Sequence, residues 1–170
     1  MEKIIGRAAE LQLLTGLITR DRSDFVAVFG RRRVGKTFLV RTAFNGQFSF
    51  QLTGLANAKL KQQLANFHAA LLREKAPDYD LPIATDWFGA FQQLIRHLEG
   101  LTAPKKIVFL DELPWMDTPQ SGFISALEHF WNSWASARSD VLLIVCGSAA
   151  SWMIHSLLMN FHRVLTRTLC

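Results

Sequence analysis

The stretch Gly30-Arg31-Arg32-Arg33-Val34-Gly35-Lys36-Thr37 lies between an unbroken apolar run, Phe25-Val26-Ala27-Val28-Phe29, and the segment Phe38-Leu39-Val40-Arg41-Thr42-Ala43. The apolar run has the composition of a strand buried on both faces, and the segment after the glycines reads as the opening of a helix. Strand, glycine loop and helix in that order, with G-x-x-x-x-G-K-[ST] at the junction, describe a loop that wraps the phosphates of a nucleoside triphosphate. Gly30 and Gly35 allow backbone conformations closed to residues with a side chain, so successive N–H groups can turn inward as an anion nest at a helix N-terminus. Lys36 is placed to set an ammonium between the β- and γ-phosphates, and Thr37 to offer its hydroxyl to Mg²⁺. Arg31, Arg32, Arg33 and Val34 fill the variable positions. For the arginines two readings stand: added contact to phosphate or nucleic acid, or a solvated loop whose net field favours anions.

A phosphate loop alone leaves the reaction open. Lys106-Ile107-Val108-Phe109-Leu110-Asp111-Glu112 is a second buried-strand run, and it ends in adjacent carboxylates. Asp111 is expected to hold Mg²⁺ through its water shell, because that ion keeps several waters and takes few protein carboxylates. Glu112, expected to face away from Asp111 by strand alternation, is the candidate to orient and deprotonate an attacking water. A third apolar run, Val141-Leu142-Leu143-Ile144-Val145-Cys146-Gly147, is followed by Ser148.

Around these strands the helical signals alternate. A helix is expected from about Ala8 to Ile18, a strand over Phe48–Leu52, a helix over Leu60–Leu72, and a loop from Pro77 to Pro82. A further helix is capped by Thr85 or Asp86 and ended by Gly100, with Trp87, Phe91, Leu94, Ile95 and Leu98 on one face. A last one spans Gly122–Trp134 with Phe123, Leu127, Phe130, Trp131 and Trp134 inward. Strands alternating with helices mean an α/β domain with a parallel sheet.

At 170 residues a single domain is expected, with 49% hydrophobic and 19% charged residues, the balance of a globular protein rather than a disordered one. No run approaches the ~20 apolar residues of a membrane span, and the opening does not read as a signal peptide. The two cysteines, Cys146 in an expected buried strand and Cys170 at the terminus, suggest no disulfide framework. A reducing cytoplasm is the expected location. The five histidines lack ligand spacing. The net charge of +5 is modest, and three arginines and Lys36 stand in the phosphate loop, so nucleic-acid binding is possible but not indicated.

Four motifs together resemble one family: Gly30 to Thr37, Asp111-Glu112-Leu113-Pro114-Trp115, Cys146-Gly147-Ser148, and the opening Ile4-Ile5-Gly6-Arg7-Ala8-Ala9-Glu10-Leu11. In this combination the chain resembles the archaeal-type ATPases of the AAA+/STAND-related P-loop class over residues 4 to about 152. The resemblance implies a three-layer P-loop nucleotide-triphosphatase core, a parallel sheet flanked by helices, with the strand before Ser148 between the other two apolar strands. It implies ATP and Mg²⁺ as ligands, ADP as product, and Gly6 and Arg7 beside the adenine. The nucleotide set is then Gly6, Arg7, Gly30, Arg31, Arg32, Arg33, Val34, Gly35, Lys36, Thr37 and Phe38, the metal set Thr37 and Asp111, and the catalytic set Lys36, Glu112 and Ser148. Ser148 has two readings, a sensor of the γ-phosphate or water and the N-cap of the next helix. Trp115 either packs over the site or covers the sheet edge.

Family members continue into a fifth strand and a helical or winged-helix region, so residues 1–170 are expected to be a core lacking its C-terminal part. An arginine finger is not assigned, Arg163 and Arg167 being positions to test. A protein partner or a second copy of the chain is compatible with the apolar composition, and no membrane is implied. The expected function is magnesium-dependent ATP binding with slow hydrolysis. The competing reading is a truncated nucleotide-binding switch or interaction module that does not hydrolyse.

Overall fold

The structure is a computed structural model that describes residues 6–74, 80–161 and 164–169. Ile4 and Ile5, the start of the Pro77–Pro82 loop, Arg163 and Cys170 lie outside the described residues.

Five parallel strands form one sheet: β1 (Asp24–Gly30), β2 (Phe50–Thr53), β3 (Lys106–Asp111), β4 (Val141–Gly147) and β5 (Val164–Leu169), in the order β2-β3-β4-β1-β5. Every residue of β1 and β4 is buried, as the apolar runs require of strands covered on both faces. Side-chain alternation divides β1 between two cores. Phe25, Ala27 and Phe29 face α3 (Leu60–Arg73), α4 (Trp87–Glu99) and α6 (Phe123–His129), while Val26 and Val28 face α1 (Ala8–Gly16) and α2 (Lys36–Ala43). Helices, sheet and helices make the expected three layers.

The first core is aromatic. Trp87 lies 4.9 Å from Phe123 and 5.8 Å from Phe67 between ring centroids, and Trp131 lies 5.3 Å from Phe25. Trp131 is therefore a core residue. Trp134 is half-buried, with the Arg138 guanidinium 4.9 Å from its ring and its indole N–H donating to Glu99.

A local signal sets the start of α4. Asp86 is the N-cap of α4, its carboxylate accepting the Gly89 N–H at 2.7 Å, and Gly100 follows as C-cap. β4 stands between β3 and β1 as expected. Three boundaries differ from expectation. The second strand is displaced to Phe50–Thr53, where Phe50 and Leu52 bury against α3. The last long helix changes to a π-type turn over Phe130–Trp134, which brings both Phe130 and Trp131 inward. The fifth strand, expected beyond the chain, is present as Val164–Leu169, paired with β1 from Phe25↔Val164 to Gly30↔Leu169. It escapes the sequence because Val164-Leu165-Thr166-Arg167-Thr168-Leu169 mixes polar and apolar residues where the inner strands are uniformly apolar. Among the described residues, no helix is long and apolar enough to cross a membrane.

Candidate functional site

β1 delivers the glycine loop, and its backbone takes the conformations that the sequence demands. Gly30 and Gly35 have φ of 155° and 80°. Gly35 has no neighbour within 4 Å of an added Cβ, so its requirement is conformational rather than steric. Arg33, with φ 65°, also takes the left-handed region, which sequence reasoning did not anticipate. The loop then opens α2 at Lys36, setting backbone N–H groups and the positive end of the helix toward the cavity.

Lys36 is buried, and its ammonium donates to the carbonyls of Gly30 at 2.9 Å and Arg31 at 2.7 Å. The charge is thus satisfied by the loop that surrounds it. Thr37, one residue on, donates its hydroxyl to Asp111 Oδ2 at 2.7 Å. The two residues are 74 positions apart in sequence and come together because the loop after β1 and the end of β3 lie at the same C-terminal end of the parallel strands, on either side of β4. The other carboxylate oxygen of Asp111 accepts the Glu112 N–H at 3.0 Å. This pair of hard oxygen donors suits Mg²⁺, which binds through few protein ligands and retains water.

Glu112 differs from the strand-alternation expectation. β3 ends at Asp111, and Glu112 turns into the left-handed region at φ 50° and ψ 47°, capping the short helix α5 (Leu113–Met116). The turn sends its side chain into the same cavity as the phosphate loop. That cavity, about 470 Å³, is lined by Arg32, Arg33, Gly35, Lys36, Thr37, Phe38, Glu112 and Trp115. Burial raises the Glu112 pKa above the ordinary carboxylate value and the neighbouring Asp111 raises it further, while Lys36 and Arg32 pull it down. A carboxylate of raised basicity in a cavity that also receives Lys36 is suited to take a proton from water.

Trp115 lines the cavity, with the Arg32 guanidinium 5.8 Å from its ring centroid. Its place is over the site, one of the two readings the sequence allowed. Arg32, Arg33 and Phe38 join the cavity, whereas Arg31 and Val34 contribute backbone: Arg31 through its bond from Lys36, Val34 through a carbonyl that accepts from Arg7 Nη2 at 3.1 Å. This bond joins the opening box to the phosphate loop. Gly6, also with positive φ at 82°, precedes it. Ser148 follows β4, half-buried, and the next helix, α7 (Ala150–Met153), has Ala149 rather than Ser148 as its N-cap.

The residues behind the cavity were not found from sequence. Gln63 of α3 is 1% exposed and bonds to both Leu55 and Trp115. Gly54 donates its N–H to the Asp111 carbonyl at 2.9 Å. Asp117 accepts the Trp152 indole N–H at 3.2 Å, fastening the end of α5 toward α7. Burial raises the Asp117 pKa against the lowering effect of that bond.

Compared by sequence, the chain matches no protein-family model and no characterised protein. Compared by structure, it is similar to Cdc6p from Pyrobaculum aerophilum, with TM-score 0.64 and 14% identity over 98% of this chain and 46% of that one. It is also similar to the Walker-type ATPase of Pyrococcus abyssi, with TM-score 0.61 and 16% identity over 98% of this chain and 53% of that one. A chain of Drosophila ORC bound to DNA gives TM-score 0.63 and 16% identity over 98% of this chain and 43% of that one. The chain spans about half the length of each of these structures. At this identity the similarity establishes the fold alone, a five-stranded parallel sheet between two layers of helices.

Proposed function

We propose that the chain binds ATP with Mg²⁺ and hydrolyses it slowly to ADP and phosphate. The observation that carries this reading is the Thr37–Asp111 hydrogen bond of 2.7 Å at a cavity that also receives Lys36 and Glu112. The groups proposed to bind phosphate, hold the metal and accept the proton come from two separate sequence segments, Lys36-Thr37 and Asp111-Glu112.

In this reading the backbone of Gly30 to Lys36 cradles the phosphates, and the Lys36 ammonium exchanges its two carbonyl partners for phosphate oxygens. Arg32, Arg33 and Phe38 line the approach, and Gly6 and Arg7 support the loop from the adenine side. Thr37 and Asp111 hold the Mg²⁺, which when bound neutralises charge on the phosphates. Glu112 orients a water and accepts its proton as the water oxygen attacks the γ-phosphorus. The bond from that phosphorus to the bridging oxygen breaks, leaving ADP and phosphate. Ser148 is proposed as a polar sensor beside the attacked group, since Ala149 occupies the capping position.

Two measurements on the wild-type chain test the proposal. A thermal-shift series with ATP, GTP and ADP, each with and without Mg²⁺, reads binding through its preference for the folded state; ATP with Mg²⁺ should raise the midpoint most. Phosphate release should then be present in wild type and abolished in Lys36→Ala. A Mg²⁺-ATP shift without any phosphate release identifies a nucleotide-binding switch instead.

A further inference from the structure

Gln63 is a polar side chain sealed in the interior at the start of α3, and its amide is fully used. Oε1 accepts the Leu55 N–H at 3.1 Å, while Nε2 donates to the carbonyls of Leu55 at 2.7 Å and Trp115 at 3.0 Å. One planar group with an acceptor and two donors satisfies this set; a carboxylate lacks the donors and an aliphatic chain lacks both. The amide therefore locks the loop after β2 to helix α5.

That lock lies directly behind Glu112. The Trp115 N–H donates to the Glu112 carbonyl at 3.0 Å. Gly54, beside Leu55, packs so closely that an added Cβ would stand 2.7 Å from the Glu112 carbonyl oxygen and 3.2 Å from Trp115 Cβ. Glu112 itself takes a left-handed backbone conformation, which is unfavourable for a residue with a side chain and persists where the surroundings impose it. Gly54 supplies the close backing and Gln63 fixes that backing in place.

We infer that Gln63 is a positioning residue, which holds Glu112 at the phosphate cavity by tying the loop after β2 to Trp115. The inference rests on the hydrolytic reading given above. Gln63 touches no reacting atom; its effect passes through Trp115 and the Glu112 backbone. Displacing a catalytic group by about an ångström is enough to cost on the order of 100-fold in rate.

The test compares single-turnover phosphate release and Mg²⁺-ATP affinity in the full chain. Gln63→Leu should lower the hydrolysis rate constant about 10- to 100-fold, with the Kd for Mg²⁺-ATP unchanged within about twofold because the binding groups stay in place. Asn66→Ala is the matched control: Asn66 lies on the same helix and donates to the Thr53 carbonyl at 2.8 Å, but does not reach Trp115, so the rate should stay within about twofold. In a Glu112→Gln background, Gln63→Leu should add no further loss, because two residues that act as one unit are non-additive.

Should Gln63→Leu fail to fold, Gln63→Met keeps the unbranched length of the side chain and removes the acceptor and both donors without burying a charge, and the same rates are read on it. A rate equal to wild type, or a full additional loss in the Glu112→Gln background, overturns the positioning role. Wild type without phosphate release overturns the hydrolytic reading and this inference with it. Wild-type turnover with an unchanged Gln63 variant overturns this inference alone.

Discussion

The Thr37 hydroxyl donates to Asp111 Oδ2 at 2.7 Å, so the first turn of α2 and the end of β3 are joined through the two side chains that make the proposed metal site. Replacing Asp111 by Asn retains an oxygen acceptor for Thr37 but removes the negative charge. Its effect on nucleotide affinity should therefore depend on the metal. Calorimetric titration should show ATP affinity lowered about tenfold or more with Mg²⁺ present, a loss of about 1.4 kcal/mol, and little change in EDTA. An equal loss in both conditions would separate Asp111 from the metal.

Glu112→Gln removes the proton acceptor and preserves the size of the side chain. ATP binding should persist while phosphate release falls by about 10²- to 10⁴-fold, the usual contribution of a positioned base. A stopped assay for free phosphate at saturating ATP checks this, and equal release by variant and wild type would remove Glu112 from the reaction.

Lys36 is held by two loop carbonyls, so Lys36→Ala withdraws a charged donor from both. The variant should lose the thermal shift produced by Mg²⁺-ATP. Without nucleotide it should melt lower than wild type, by an amount equivalent to about 1–3 kcal/mol. A retained shift would mean that the ammonium does not contribute to the phosphate site.

Gly147, at the end of β4, leaves no room for a side chain: an added Cβ would stand 2.8 Å from both Met153 Sδ and Pro114 Cδ. The Met153 chain can bend aside, but the Pro114 ring cannot. Gly147→Ala should destabilise the fold by about 1–3 kcal/mol as an overpacked site does, read from urea denaturation midpoints.

Asp140 accepts two bonds from Arg138, at 2.8 Å and 2.9 Å, and one from Lys106 at 2.7 Å. The Arg138 bonds first, then Lys106, hold its carboxyl well below the usual carboxylate range against the opposing effect of burial. Because the folded value lies below the unfolded one, the stabilisation is fully present above about pH 4, the ordinary aspartate pKa, and is lost as pH falls further. Asp140→Asn should cost about 2 kcal/mol at neutral pH. In urea melts taken at successively lower pH, the gap between variant and wild type should close below about pH 4.

The sequence announces the parts of this fold that have uniform local chemistry. Three strands of the sheet interior carry uninterrupted apolar runs, Phe25–Phe29, Ile107–Leu110 and Val141–Cys146, and the glycine loop and the Asp86 cap each have a residue type that favours one local outcome. What stayed hidden depends on where the chain stops being regular. Alternation predicted that Glu112 would face away from Asp111, but the strand ends one residue earlier and a left-handed turn replaces the alternation. Gln63 reads as one polar residue among Lys61, Gln62 and Gln63; its burial follows from Leu55 and Trp115, neither of which is near it in sequence. β5 lies at an edge, where one neighbour suffices and the apolar signature weakens.

The two bonds from Lys36 to the Gly30 and Arg31 carbonyls have one further consequence. In the proposed function, the loop would already be ordered around its own cation before a triphosphate arrives, which would lower the entropy cost of binding. Entry would then be a swap of partners at the Lys36 ammonium. On that reading, selectivity among anions would be set by how well a ligand replaces two carbonyl oxygens at once, which would favour a chain of linked phosphates over a lone inorganic ion.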